Sequence, residues 1–510
     1  MPVLKKWKLL QIVATLQEAN EELRKRGPKR ADDIIEVLTQ GQELAIKIGT
    51  DIDERKEDAA KEIVVALEEY CESVYQFSLD PLNKSVCNKQ TKKIKGLLIR
   101  VNNAIKYELN DDKRDIVFLP YKASMWDSLE SIWIAANEDE NCNAIVIPIP
   151  YFDKNPDGSL GQMHYEGNEF PTDIPITSWK EYSIEANRPD VIYVHNPYDS
   201  WNLITSVHPM FYSSELVNYT NELVYVPYFV LQEIEPENQT AIDGIKHFIT
   251  TPGVIYADKV IVQSKNMKQI YVNVYIDWAE EQGLMGKHVD RKYQETRILG
   301  IGSPKFDKVL NVKKGDFIIP EEWERKIGNK KIILFNSSIN AALNNGSDYL
   351  DKLEEVFTLL KKREDFILWW RPHPLLASTF DSMRPNLSKR YKRIVSEYKN
   401  ENYGIYDDTA DLNRAIACSD RYYGDRSSVL QLYGATGKPA LISIIKQRPR
   451  GEMLVKNWRT GDFEENDLVD WLEGKEKWII GETYRSAFKD LDLDGKSGSK
   501  IHQICVGGQI

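Results

Sequence analysis

The first eighty residues repeat their apolar positions with a helical period. Leu9, Ile12/Val13, Leu16, Ala19 and Leu23 share one face of a segment over 3–26 that stops at "GPKR". A second segment spans 30–48 and stops at Gly49; a third, 56–78, sets Ile63, Leu67, Tyr70, Val74 and Phe77 on one stripe. Charges such as "DIDERKEDAAKE" cover the opposite face. The pattern predicts amphipathic helices that pack on the rest of the chain or on a second copy.

From about residue 114 the period changes. "DIVFLPY" reads as a strand, "WDSLESIWIAANED" as a helix, "NAIVIPIPYF" as a strand, and a Gly/Asp/Pro-rich loop runs to 170. "SWKEYSIEANR" reads as a helix, followed by the strands of "PDVIYVHNPYD", "ELVYVPYFVL", "ADKVIVQS" and "TRILGIGSPKFD". After a break at 311–331 a second set begins with "KIILFNSSI" and continues through "DFILWWRPHP", "YGIYDD", "RYYGDRSSVLQLYGATG" and "KPALISII", with helical periods between. Short apolar runs separated by helices predict βαβ units and parallel sheets. The expected fold class is α/β, with two Rossmann-like domains facing a cleft. The expected divisions are an all-helical extension 1–82, an N-terminal domain 100–312, a C-terminal domain 313–480 and a tail 481–510 that packs back on the core.

Composition narrows the function. The chain has 510 residues, 42% hydrophobic and 28% charged, which suits two or three globular domains. Its formal net charge of -11 argues against general nucleic-acid binding. Five cysteines lie scattered without a C-x-x-C pair, and the histidines share no metal-ligand spacing. No disulfide framework, metal site or bound cofactor is therefore expected, and a reducing compartment fits best. The N-terminal segment lacks a signal-peptide cleavage site and no run reaches membrane-spanning length, so a cytoplasmic location is expected.

Two stretches carry candidate chemistry. In "WWRPHPLL", Arg371 and His373 sit just past the carboxyl end of a strand, where open α/β sheets bind ligands. Two prolines hold them, either as donors to a phosphate or as a stiffened turn in which the His bonds a carbonyl. In "GDRSSVLQLYGATGKPAL", Ser427 and Ser428 open a short helix. Such an end attracts anions, although a lone Ser there is by default an N-cap. Neither a P-loop nor a G-x-G-x-x-G after a strand is present.

Together these stretches resemble the donor half of the CDP-glycerol glycerophosphotransferase (teichoic-acid polymerase) family, enzymes of GT-B architecture. The resemblance covers roughly 110–505 and is strongest over 365–442. It implies that Arg371, His373, Asp425, Ser427, Ser428 and Lys438 bind the diphosphate of a nucleotide donor such as CDP-glycerol. "LGIGSPKFD" is similar to the family's G-x-P-x-x-D turn, "DGKSGSK" to its closing D-G-K, and "LPYKASMWDSLESIW" to its first strand, loop and helix. Where the family carries a W-H-G stretch with a proposed general base, this chain has Tyr228 or Phe229, and Gln431 replaces the acid that follows the serine pair.

A substitute base is sought in the first domain. His195, in "VIYVHNPYD", is either that base or a strand-end His bonded to a carbonyl; Asp127 and Glu233 are either bases or solvated acids; His208 is a further candidate. The expected partners are a nucleotide-diphosphate donor and a hydroxyl acceptor. A lipid-linked acceptor would bring the protein to the cytoplasmic membrane face, without a visible anchor, and the N-terminal helices offer a surface for an oligomer. Rival readings are a sugar-nucleotide glycosyltransferase or 2-epimerase of the same architecture, and an inert nucleotide-binding protein.

Overall fold

The computed structural model describes residues 4–26, 30–110, 112–409, 411–446, 454–457, 467–473 and 491–506. The chain separates into two compact units, Met1–Lys113 and Arg114–Ile510.

The first unit contains the helices α1 (Lys6–Arg26), α2 (Ala31–Glu54), α3 (Asp58–Ser78) and α4 (Lys84–Tyr107). Helix α3 packs on α2 and α4, and α1 packs on α4. On α2 the buried residues Ile34, Leu38, Gly41, Ala45, Ile48 and Ile52 recur every three or four positions, the core stripe of an amphipathic helix. Gly41 belongs to that stripe because a Cβ there would lie 2.6 Å from the Tyr70 hydroxyl oxygen on α3. Helix α4 continues past the expected end of the helical segment. Its start is capped by Asn83, whose side-chain oxygen accepts from the Ser85 and Val86 N–H groups.

The second unit is mixed α/β with two parallel sheets. Its first strands are β1 (Arg114–Leu119), β2 (Cys142–Val146), β3 (Tyr151–Lys154), β4 (Leu160–His164), β5 (Val191–Val194), β6 (Thr205–Val207), β7 (Glu222–Tyr225), β8 (Lys259–Val262) and β9 (Ile298–Gly300). Six of them form a sheet in the order β2-β1-β5-β7-β8-β9, and every pairing is parallel. The order reverses between β1 and β5, which makes that crevice the sheet's switch point.

"NAIVIPIPYF" is not one strand. Pro148 and Pro150 cannot donate to a ladder, so β2 stops at Val146 and β3 joins a separate antiparallel sheet, β4-β3-β6. The expected loop before 170 therefore supplies a strand. The expected helix "SWKEYSIEANR" shrinks to Ile184–Asn187, which we call α6, following α5 (Glu130–Glu138). Ser183 caps it, and Arg188 ends it in a left-handed conformation just before Pro189.

Helix α7 (Pro304–Asn311) leads to the second set: β10 (Lys331–Ser337), β11 (Phe366–Pro372), β12 (Ile405–Tyr406), β13 (Arg421–Gly424), β14 (Ala440–Lys446) and β15 (Leu454–Asn457). Their order is β12-β11-β10-β13-β14-β15, parallel except for β15. Here the switch point falls between β10 and β13. Helices α8 (Ile339–Asn345), α9 (Ser347–Lys361), α10 (Pro385–Glu401), α11 (Leu412–Cys418) and α12 (Ser428–Ala435) belong to this half, and α13 (Ser497–Val506) returns to pack on α5. The cores of the second sheet include fully buried aromatics, among them Trp369, Trp370, Tyr422 and Tyr423.

Candidate functional site

The carboxyl ends of β10, β11 and β13 adjoin, because β10 pairs with both neighbours. Asn336 lies opposite Gly424 in the register. A Cβ on Gly424 would stand 2.4 Å from the Asn336 carbonyl oxygen, so only glycine allows this approach of the two backbones. The strand ends therefore meet tightly at the switch point. Beyond them, the His373 N–H donates to the Ser337 carbonyl, and the Ser338 N–H donates to Asp425 Oδ2 at 2.7 Å. The two loops expected to hold a phosphate are thus both bonded to a third, the loop after β10.

Within that cluster the residues divide. Asp425 is almost fully buried and pairs with the Lys352 ammonium on α9, with Tyr349 donating to its second oxygen. Its charge is consumed there, which suits a group that rigidifies the loop and not one that meets an anion. Arg371 is buried, donating to Asp407 Oδ2 at 2.7 Å and to the Thr409 carbonyl at 2.6 Å. Lys438 donates to the Ile416, Ala417 and Ser419 carbonyls at the end of α11, completing the last turn of that helix. Burial lowers the Lys438 pKa.

His373, Ser427 and Ser428 remain open toward a ligand. Ser427 precedes α12 with extended backbone, yet its side chain makes no cap bond. Its Oγ instead accepts from Asn336 Nδ2 at 3.0 Å. Ser428 is exposed at the first turn. His373 is also exposed, and its Nδ1 accepts from the Leu375 N–H at 3.2 Å. That bond leaves the proton of the neutral ring on Nε2, as a donor. Partial desolvation lowers the His373 pKa, which favours the neutral form.

The first sheet's switch point is differently built. His195 follows β5 and is fully buried; its Nε2 accepts from the Tyr121 N–H at 3.0 Å. Its Nδ1 lies 2.9 Å from Ser128 Oγ, and that hydroxyl donates to the Met125 carbonyl. The proton is thus fixed on Nδ1 and both ring nitrogens are occupied. Burial and the nearby Lys305 charge lower the His195 pKa to about 3. Such an imidazole organises the loop after β1 and takes no proton near neutrality. Asp127 is ion-paired with Lys305 at 2.6 Å and accepts from Asn413 Nδ2 at 3.4 Å. The bond to Asn413 joins the loop after β1 to α11 in the second half. Glu233 accepts from Gln263 and Ser264, and His208 Nδ1 accepts from the Met210 N–H.

One pair went unnoticed in the sequence. His164 Nε2 contacts Asp153 Oδ2 at 2.7 Å across β3 and β4, with both side chains partly exposed. The His164 ring stacks on Tyr151 at 5.1 Å, and Tyr151 meets Tyr121 edge-on at 5.6 Å, so the dyad adjoins the first switch point. His164 lies 11 positions after Asp153, across loop and bulged strand, and no short-range motif marks such a pair.

The "SPKFD" and "DGKSGSK" segments also meet. Asp307 Oδ1 accepts from the Ser497 N–H at 3.0 Å, and Oδ2 accepts from the Gly498 N–H at 2.7 Å and the Ser131 hydroxyl at 2.8 Å. The carboxylate thus sits at the start of α13, where its charge complements the helix dipole. Two roomier hollows, of about 730 and 510 Å³, lie along α9 on residues such as Glu354, Thr358 and Lys362. A cavity of about 20 Å³, room for one water, sits beside β7, β8 and Gly302.

No protein-family model matches the chain, and no curated protein matches it. Solved structures to which the chain bears a likeness include the wall teichoic acid polymerase TagF, 16% identical, covering 82% of this chain and 96% of that one at a TM-score of 0.42. A Methanocaldococcus jannaschii UDP-GlcNAc 2-epimerase in complex with UDP-GlcNAc and UDP is 10% identical, covering 77% and 100% at a TM-score of 0.43. S. aureus MnaA with UDP is 12% identical, covering 76% and 94% at 0.40. Among the described residues no helix is long and apolar enough to cross a membrane.

Proposed function

We propose that residues 114–510 form a GT-B-type transferase that uses a nucleotide-diphosphate donor, with CDP-glycerol or a related CDP-polyol as the first candidate. The observation that carries this reading is the end of α12 at the second switch point. There Ser427 is turned to Asn336 instead of capping, and Ser428 and the Nε2 side of His373 are open. Backbone N–H groups, hydroxyls and a neutral imidazole donor are suited to a diphosphate that already carries charge. They would also stabilise the charge that grows on the departing nucleotide monophosphate. Asp425, Arg371 and Lys438 are assigned to support: they fix the three loops without touching the ligand.

The donor would lie along the second half of a cleft, with the acceptor hydroxyl entering from the first. In the transfer, that oxygen bonds to the phosphorus bearing the polyol, and the bond from this phosphorus to the bridging oxygen of CMP breaks. The hydroxyl proton passes to a base. With His195 locked and Asp127 paired, we assign that role to His164 Nδ1, held by Asp153 through Nε2.

The second reading is a protein that binds the nucleotide without turnover, and the locked His195 favours it. Calorimetry with CDP-glycerol, CDP-ribitol and UDP-sugars, followed by an assay for released CMP or UDP, separates the two. The transferase reading expects binding of a CDP-polyol and release of CMP that His164→Ala lowers by about 100-fold or more, the range of general-base catalysis. Binding without release for every acceptor tried would rule out the enzyme.

A further inference from the structure

Away from both switch points, three side chains with metal-binding atoms converge where α13 meets the first sheet. Asp139 follows α5, Cys142 begins β2 and His502 lies on α13. Their ligand atoms all fall within 4.8 Å of one another. His502 Nε2 is 3.0 Å from Asp139 Oδ2, and Cys142 Sγ is 3.5 Å from the same oxygen. We propose that Asp139, Cys142 and His502 form a binding site for one thiophilic divalent cation of the zinc class.

The donor set suits that class. Carboxylate, thiolate and imidazole are the three side chains zinc uses, and bonds of about 2.0–2.3 Å at tetrahedral angles put ligand atoms about 3.3–3.7 Å apart. The Asp139–Cys142 separation already falls in that range, and the Asp139–His502 separation needs to open by a few tenths of an ångström. The carboxylate is also pre-aimed. Its Oδ1 accepts from the Asn141 backbone N–H at 2.9 Å and from Asn141 Nδ2 at 3.2 Å, leaving Oδ2 toward Cys142 and His502. Outer-shell bonds of this kind orient metal ligands.

Two of the three side chains are buried. His502 is buried, and its Nδ1 has no hydrogen-bond partner among the described residues. The Cys142 thiol is also buried, and its Sγ donates to Asp139 Oδ2. On binding, the Cys142 proton leaves to solvent, the carboxylate is already ionised, and the neutral imidazole binds through Nε2 with its proton on Nδ1. The divalent charge is then balanced by one thiolate and one carboxylate, so a neutral complex forms in a poorly solvated place. It would clamp α13 to α5 and β2, beside the Asp307 bonds that hold the start of the same helix.

The test uses the full chain, freed of metal by chelator and titrated with Co2+, then Zn2+. One Co2+ per chain is expected, with a thiolate-to-cobalt charge-transfer band that Zn2+ abolishes, and one proton released per metal from the thiol at neutral pH. Cys142→Ser should remove the band, and His502→Gln should weaken binding by about 100-fold or more, beyond the 10–100-fold that loss of an outer-shell partner brings, while circular dichroism of the metal-free variants matches metal-free wild type. Absence of 1:1 binding, or a band that persists in Cys142→Ser, overturns the proposal. Should Cys142→Ser not fold, Asp139→Asn serves instead, and unchanged cobalt affinity in it also overturns the proposal.

Discussion

Among the described residues, the Asp199 carboxyl is strongly perturbed by burial. It is buried after β5 and accepts from the Ser213 N–H at 2.8 Å and from its hydroxyl at 3.1 Å, yet desolvation raises its pKa to about 7. A folded pKa above the unfolded one means the native state binds the extra proton. From this group, stability is fully present below about pH 4 and is lost as pH rises toward 7, with a slope of at most about 1.4 kcal/mol per pH unit. His195, lowered to about 3, contributes the opposite slope between about 3 and 6.5. The variant must therefore be compared with wild type. Asp199→Asn should remove the Asp199 slope, seen as a smaller loss of urea midpoint between pH 4 and 7. An identical pH profile would show that the carboxylate is ionised in the fold. The same scale shows what the residue types could not say. Arg371, Asp425 and Lys438 have the right chemistry for a phosphate site, but their partners Asp407, Lys352 and the α11 carbonyls come from 19 to 73 residues away. Only the fold reveals that their charges are already used.

Among the elements, the strands were largely legible because their apolar runs are short and bounded by turns: "DIVFLPY", "DFILWW" and "KPALISII" all carry strands. Misreadings fell where proline or local capping overrode the apolar pattern. Pro148 and Pro150 redirected one run into a second sheet, and Ser183 with Arg188 cut a helix to four residues. Pairing order was not legible, since it depends on contacts distant in sequence, and it is the order that makes the two switch points. At the second of these, Gly424 lets β13 approach β10. Gly424→Ala should push the strands apart, lowering both stability, by about 1–3 kcal/mol as overpacking does, and nucleotide affinity. Thermal melts and calorimetry on one preparation check this. Undiminished nucleotide binding in a destabilised Gly424→Ala would separate the switch point from the ligand.

The whole molecule comprises a helical unit, Met1–Lys113, and an α/β unit in which Asp127, Lys305 and Asn413 connect the two parallel halves. Motif reading placed the candidate site in the second half from two short stretches, and the structure brings His373, Ser338 and Ser427–Ser428 to neighbouring strand ends. It could not show that the first half's histidine is sealed, because burial is a property of the assembled fold. The central claim is that these strand ends hold the diphosphate of a nucleotide donor. The most direct measurement is calorimetric titration of CDP-glycerol into wild type and into Ser428→Ala and His373→Ala, with cytidine as a phosphate-free control. The account predicts saturable binding that each substitution weakens by about tenfold or more, the worth of one hydrogen bond to a charged group, while weak cytidine binding is unchanged. Equal affinity for CDP-glycerol in wild type and both variants, or no binding of any nucleotide diphosphate, would contradict it.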